Sequence, residues 1–321
     1  SPRGDIEDIL SAFEVQKVHD IPDLRRIVFG LSVPIRSVLV VIGFPGHLTP
    51  VIPFADLINM DVIEPVMEDA CIERLREFFS EHPKTALAFS GGADSAFLLH
   101  CAKKFGCDVR AYYVSTEFQP QFEKDNAVLI CGLEDADLTI LEDSVLSDID
   151  IISNGPDRCY HCKRAILSKI AEASKIDGYG IIIDGTNASD PEDDRPGMKA
   201  LKDFGIFSPL RSSGISKSEV REYSKKEGLL TWDLPSYSCL ATRVQAGRPI
   251  TGEDLERIER AETYLRFIGF TDLRVRSVGG NRALVQVTRE EYASAEENWE
   301  SIETTLSDDF DKVTLDPEPR R

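Results

Sequence analysis

No stretch of this 321-residue chain approaches the ~20 apolar residues of a membrane span, and no signal-peptide pattern opens it. Both absences predict a cytoplasmic protein with no membrane partner. Basic charge is scarce as well. The 37 Lys and Arg are outnumbered by 56 Asp and Glu, and the net charge of −19 argues against a surface built to hold a nucleic-acid backbone. Seven cysteines are too few for a disulfide scaffold of this length, and their number is odd. Internal repeats are missing. So is any Gly-Lys-Ser/Thr, which excludes the loop that grips terminal phosphates for γ-phosphoryl transfer.

What is present is Ser90-Gly91-Gly92-Ala93-Asp94-Ser95. It lies between an apolar run at 85–89 that reads as a buried strand and a helical pattern at 96–104. Two glycines allow a tight turn with N–H groups turned toward an anion, and the helix start adds its own free N–H groups and dipole. Ser90 and Ser95 supply hydroxyl donors.

From residue 85 strands and helices alternate. Strands are expected at 85–89, 109–114, 137–141 and 180–184, and helices from 95, at 120–131 and at 158–176. This pattern predicts an α/β fold, a parallel sheet covered by helices on both faces. Ligands of such sheets sit beyond the carboxyl ends of the strands, which places Ser115, Gly185 and Thr186 on the same rim as the glycine loop. An amphipathic helix at 68–80 precedes the first strand. Ser216-Lys-Ser-Glu219 is a capping box for a helix to 227, stopped by Gly228. Beyond it come a helix at 251–269, strands at 273–277 and 283–287, a helix at 289–306 and a strand at 312–315. These define a small α+β domain with a frayed tail at 316–321. The expected division is an N-terminal unit at 1–67 with short strands at 38–42 and 51–54, a nucleotide domain at 68–235, and a C-terminal domain at 236–321.

Cys71, Cys101, Cys107 and Cys131 lie among apolar residues and read as packing. Cys159-Tyr-His-Cys162 stands at a helix start. Four readings compete for it: a redox pair, half a zinc site, part of an iron–sulfur site, or packing. Cys239 is the one further candidate in a polar loop. Three thiolates without an obvious fourth ligand suit a cluster with one iron open better than structural zinc. Ser238, Thr242 and Arg243 beside Cys239 are donors expected to favour its thiolate. Arg243, Arg248, Arg274, Arg276 and Arg282 concentrate in an otherwise acidic chain. Arg274 and Arg276 alternate on a strand and so share a face, where paired guanidinium groups suit a phosphate.

The glycine loop resembles the PP-loop of the ATP pyrophosphatases, which bind pyrophosphate and transfer AMP. Residues 75–315 resemble the LarE-type sacrificial sulfur transferases, carried by Ser90–Ser95, residues 156–163, residues 184–190 with 195–197, residues 231–243, and Arg274-Val-Arg276. Ala93 departs from the more usual Val, and the first ~70 residues have no counterpart in this resemblance. The resemblance implies ATP and Mg²⁺ as cofactors and a pyridinium-3,5-biscarboxylic acid mononucleotide as small-molecule partner, in the maturation of the nickel-pincer cofactor of lactate racemase. It also implies a homo-oligomer, with the sulfur donor unnamed. In that family the substrate carboxylate is adenylated and its activated oxygen replaced by sulfur. By residue match, Ser90, Gly91, Gly92, Asp94, Ser95, Ser115, Gly185 and Thr186 bind ATP. Arg274, Arg276, Glu262 and Thr242 bind substrate, and Cys239, Asp94 and Arg243 serve the chemistry. Cys159, Cys162 and Cys239 place the chain with members that hold a [4Fe-4S] cluster rather than sacrifice one cysteine. A tRNA thiolase, an amidating PP-loop ligase and a non-enzymatic nucleotide or iron–sulfur regulator are the alternatives. The acidic charge opposes the first, three unused cysteines oppose the second, and pyrophosphate release tests the third.

Overall fold

The computed structural model describes residues 70–191 and 196–320, which fall in one compact unit, Met67–Arg321. The strands expected at 38–42 and 51–54, the N-terminal unit and Arg195 lie outside the described residues.

Helix α1 (Ala70–Glu81) leads into β1 (Lys84–Ala88), the glycine loop and α2 (Ala93–Lys104). Then follow β2 (Asp108–Ser115), α3 (Gln121–Leu133), β3 (Asp137–Glu142), the short α4 (Ile149–Ile152), α5 (Arg158–Ile176) and β4 (Ile182–Asp184). The four strands form a parallel sheet in the order β3-β2-β1-β4. Period-two alternation decides which helices cover it. Leu87, Ala111 and Tyr113 pack with Ile72, Leu75, Phe97 and Ile130 of α1, α2 and α3. Ala86, Tyr112 and Val114 pack on the opposite face with Ile170 of α5 and with Tyr179. Both faces are therefore helix-covered, as the alternating pattern predicted.

After β4 come α6 (Pro196–Asp203), α7 (Pro209–Ser212) and α8 (Lys217–Lys226). The start of α8 is the expected capping box: Glu219 N donates to Ser216 Oγ at 3.3 Å, and Ser216 N donates to Glu219 Oε2 at 2.7 Å. Gly228, with φ of +73°, turns the chain out of it. Helix α9 (Gly252–Phe267) begins on Thr251, whose hydroxyl accepts from Asp254 N at 3.1 Å. A second sheet follows, β5 (Arg274–Ser277), β6 (Arg282–Gln286) and β7 (Lys312–Leu315), antiparallel between β5 and β6 and parallel between β6 and β7. Its core unites Ile258, Leu265, Val275, Val285 and Ile302 with Phe118, Val145 and Ile151 from the rim of the first sheet.

Two expectations need correction. The single helix expected at 289–306 is two, α10 (Tyr292–Glu297) and α11 (Trp299–Leu306), broken where Asn298 takes a non-helical ψ of 7°. The tail is not frayed over 316–320. Asp316 N donates to Val285 O at 2.8 Å and Arg320 N to Val287 O at 2.9 Å, so backbone hydrogen bonding extends past β7. Polar, proline-containing composition hid that pairing.

Candidate functional site

The glycine loop lies at the carboxyl end of β1, as expected. Gly91 takes φ of +71°, and a Cβ there would lie 3.2 Å from the Glu123 carbonyl oxygen and 3.3 Å from Ala127 N. Only glycine allows the loop to rest this closely on α3. Gly185, just beyond β4, is equally constrained, since a Cβ would meet Ser95 N at 2.8 Å. These contacts bring the end of β4 against the start of α2, where unpaired N–H groups and the helix dipole favour an anion. Ser90 Oγ and Ser95 Oγ are 3.1 Å apart, and Ser95 Oγ donates to Gly92 O at 3.1 Å. Asp94 accepts from Lys217 Nζ at 2.6 Å and from Asn187 Nδ2 at 3.3 Å. Thr186 Oγ1 donates to Asp184 Oδ2 at 2.6 Å, and Ser208 Oγ donates to Asp184 Oδ1 at 2.7 Å. Lys163 Nζ stands 3.8 Å from Asp184. Ser115 ends β2 in register with Glu142 of β3, on the same rim.

The cysteines come together through Arg158. Its Nη1 donates to Asn154 Oδ1 and to Ala241 O, both at 2.9 Å, tying the start of α5 to the 3-10 turn Leu240–Arg243. Nη2 reaches Cys159 Sγ at 3.4 Å. Leu240 N donates to Phe118 O at 2.9 Å and fixes the other side of that turn. Cys159 and Cys162 are one helical turn apart on α5. Burial, and then the proximity of Cys239 and Cys159, push the Cys162 thiol up to about 12. Burial also raises Cys239, with Arg158 and Arg243 pulling it back only in part. The expected thiolate at Cys239 is thus opposed by desolvation, which polar neighbours in sequence did not reveal.

Among the described residues no group of three or more His, Cys, Asp or Glu side chains is arranged to hold a metal ion. Cys162 and Cys239 pack beside the second core while Cys159 is exposed, and the three thiols lie within electrostatic reach of one another, soft donors of the kind an iron–sulfur cluster takes.

Arg243 is buried at 1% exposure. Its Nε and Nη2 donate to the two oxygens of Glu262 at 2.8 and 3.2 Å. Nη1 donates to Ser238 O at 2.6 Å and to Thr242 Oγ1 at 2.9 Å. Glu262 also accepts from Val275 N at 3.0 Å and from Tyr237 at 2.8 Å. Arg243 and Glu262 therefore engage each other and shape the turn that carries Cys239. Phe122 and Tyr237 meet edge to face at 4.9 Å, with the Arg266 guanidinium 4.3 Å over Phe122. Next to them, burial pushes the Glu123 carboxyl up to about 7, against the pull of Arg243 and Arg266.

Arg274 and Arg276 share one face of β5 and line a cleft of about 340 Å³ with Gln286, Asp316 and Arg320. Arg276 donates to Gln286 Oε1 at 2.6 Å and to Thr242 O at 3.1 Å. Burial, with neighbouring guanidinium groups second, lowers the proton affinity of both arginines. The structure brings together Cys159, Cys162, Cys239, Thr242 and Arg243, and joins this group to Arg276. It gathers Ser90, Gly91, Gly92, Asp94, Ser95, Gly185 and Thr186 at the loop. The sequence reading missed Arg158, Lys217 and Arg320. For Arg158 and Lys163 the only signal was their place beside the Cys-x-x-Cys segment.

No family model matches the chain. It is 34% identical over 257 residues to an uncharacterized protein of Synechocystis, covering 78% of this chain and 95% of that relative. An uncharacterized protein of Methanocaldococcus jannaschii is 29% identical over 245 residues, 76% of this chain and 93% of the relative. The pyridinium-3,5-bisthiocarboxylic acid mononucleotide synthase of Lactiplantibacillus plantarum is 31% identical over 195 residues, 60% of this chain and 71% of the relative. With that identity over that share of the relative, the chain belongs to the family of the pyridinium-3,5-bisthiocarboxylic acid mononucleotide synthase.

Proposed function

We propose that this protein is an ATP-dependent sulfur transferase acting on a carboxylate of a pyridinium mononucleotide. One observation carries the reading. The Thr242 carbonyl, on the turn that bears Cys239, accepts from Arg276 of the arginine cleft at 3.1 Å. A sulfur-bearing turn and a phosphate-suited cleft are thus hydrogen-bonded neighbours, and the compound in the named relative's title, a bisthiocarboxylic acid mononucleotide, carries both a phosphate and sulfur.

In this reading residues 68–235 activate the carboxylate and residues 236–321 hold the substrate. The N–H groups of the glycine loop and the start of α2, with Ser90, Ser95 and Lys217, receive the β,γ-phosphates of ATP. Asp94 is the loop carboxylate that would hold Mg²⁺, which would supply charge neutralisation for the departing pyrophosphate, or that, through Lys217 and Asn187, holds the loop. A substrate carboxylate oxygen attacks the α-phosphorus. The bond to the β-phosphate oxygen breaks, and pyrophosphate leaves with its electron pair. A sulfur nucleophile then adds to the acyl carbon, and AMP departs to leave a thiocarboxylate. A carboxylate oxygen leaves poorly by itself, which is why the adenylate is needed. A [4Fe-4S] cluster on Cys159, Cys162 and Cys239 would supply an iron open to carry sulfide. Arg158 and Arg243 hold the cysteine turn, and Arg274 and Arg276 take the substrate phosphate.

The test is pyrophosphate release from ATP with pyridinium-3,5-biscarboxylic acid mononucleotide, read together with the nucleotide product. AMP and a thiocarboxylate product are expected. ADP as the main product would overturn the reading.

A further inference from the structure

Asn154 lies in the connection between α4 and α5 with φ of +55°, a left-handed backbone that asparagine tolerates better than most side chains. It is 5% exposed. Its Nδ2 donates to Gln245 O at 3.0 Å, and its carbonyl oxygen accepts from Gly247 N at 3.1 Å, so it grips the segment that follows the Cys239 turn. Its Oδ1 accepts from Arg158 Nη1 at 2.9 Å. One side chain therefore joins the first turn of α5 to a segment 91 positions away. Arg158 is itself buried, and its bonds among the described residues go to Asn154 Oδ1, Ala241 O and Cys159 Sγ, with no carboxylate at ion-pair distance. A buried cation without a carboxylate is costly unless another anion meets it. Its charge is bonded to one cysteine and felt at the other two, Cys162 and Cys239.

We propose that Asn154 is a positioning residue of the sulfur site: acting through Arg158, it aims this guanidinium at Cys159, Cys162 and Cys239 and holds the two cysteine-bearing segments together in the metal-free chain. This rests on the sulfur-transfer reading only for what the assembled sulfurs do. A role confined to the backbone turn would be met equally by glycine, which takes a left-handed φ freely. Glycine cannot bond Arg158.

The experiment bridges thiols with dibromobimane in the reduced, metal-free full chain and maps the bridged pairs by mass. A bridge between Cys159 and Cys162 reports α5 alone, and bridges from either to Cys239 report the assembled site. Asn154→Gly is expected to keep the first and to lose the second about 10-fold, the scale of a hydrogen bond to a charged group. Asn154→Asp, which keeps the acceptor, should recover part of the loss. Arg158→Gln should lose the Cys239 bridges too, and adding it to Asn154→Gly should cost nothing further, since both remove one interaction. Bridging to Cys239 at the wild-type level in Asn154→Gly would overturn the proposal. So would a parallel fall of the Cys159–Cys162 bridge, or losses that multiply in the double variant. If Asn154→Gly shows no cooperative thermal melt, Asn154→Asp and Arg158→Gln carry the test, and wild-type bridging in Arg158→Gln overturns it. Thiocarboxylate formation is followed in parallel. Its absence from a wild type that bridges normally would count against the sulfur-transfer reading and leave the positioning role standing.

Discussion

Arg243 and Glu262 form a two-pronged ion pair away from solvent, with nitrogen–oxygen distances of 2.8 and 3.2 Å and side-chain exposures of 0% and 3%. Glu262 joins α9 to β5 through Val275 N, and Arg243 holds the turn that carries Cys239. Removing one partner leaves an uncompensated buried charge, which costs about 3–5 kcal/mol. Glu262→Ala should therefore lower unfolding free energy by that amount in urea titration. The double replacement Arg243→Met with Glu262→Leu should recover much of the loss. A single variant within about 1 kcal/mol of wild type would contradict this account.

The glycines of the loop separate fold from ligand. Gly185→Ala places a Cβ against the Ser95 backbone, so both thermal stability and ATP affinity should fall. At Gly92 the only near neighbour of an added Cβ among the described residues, beyond its chain neighbours, is Ser90 Oγ at 3.4 Å. Gly92→Ala should accordingly keep its melting temperature within a few degrees, about 1 kcal/mol, and lose ATP binding through crowding of the phosphates. Unchanged ATP affinity in Gly92→Ala would show that the phosphates lie elsewhere.

Cys159 decides between two ways of delivering sulfur. If Cys159, Cys162 and Cys239 share a cluster, Cys159→Ala purified without oxygen should lose iron and sulfur transfer while pyrophosphate release continues. If Cys239 alone gives up its sulfur, Cys159→Ala should transfer nearly normally once and leave dehydroalanine at 239. Iron analysis and intact-protein mass read the two outcomes directly.

Glu123 supplies a pH signature. Its carboxyl is raised to about 7, first by burial, above an ordinary value of 4.5. Below 4.5 it is protonated in both folded and unfolded chains, and its stabilising share is complete. Between 4.5 and 7 the unfolded chain ionises first, so stability falls as pH rises, by roughly 2–3 kcal/mol in total. Glu123→Gln should be more stable than wild type at pH 8 and converge with it near pH 4. Parallel denaturation profiles across that range would remove Glu123 from this role.

Local signals made most of the fold legible. The expected bounds of α5, residues 158–176, match those observed, because its helical run has a sharp start and stop. The capping box at Ser216 and Glu219 was legible for the same reason. The break at Asn298 was not, since both halves of 289–306 keep helical composition. At the site, glycine spacing located the turn between β1 and α2, but the residues that assemble around it act across long separations. Arg158 meets Ala241 83 positions away and Lys217 meets Asp94 across 123. Arg320 was lost to a proline-containing tail whose pairing depends on a strand edge that sequence periodicity does not specify. Burial of Cys239 likewise follows from tertiary packing rather than from its polar neighbours.

Phe118, Val145 and Ile151 come from the rim of the parallel sheet, yet they pack into the core of the second sheet. Apolar surface shared in this way offers no plane along which the two sheets can part without wetting side chains of both. The residues from 70 onward should then melt in one cooperative step. The spacing between the glycine loop and the cysteine turn is set when the chain folds, not when a ligand arrives. If the ligand is the dicarboxylate proposed above, its second carboxylate should reach the same turn by turning or rebinding within the cleft, because the shared core of the described residues ties the cysteine turn to the rim of the parallel sheet.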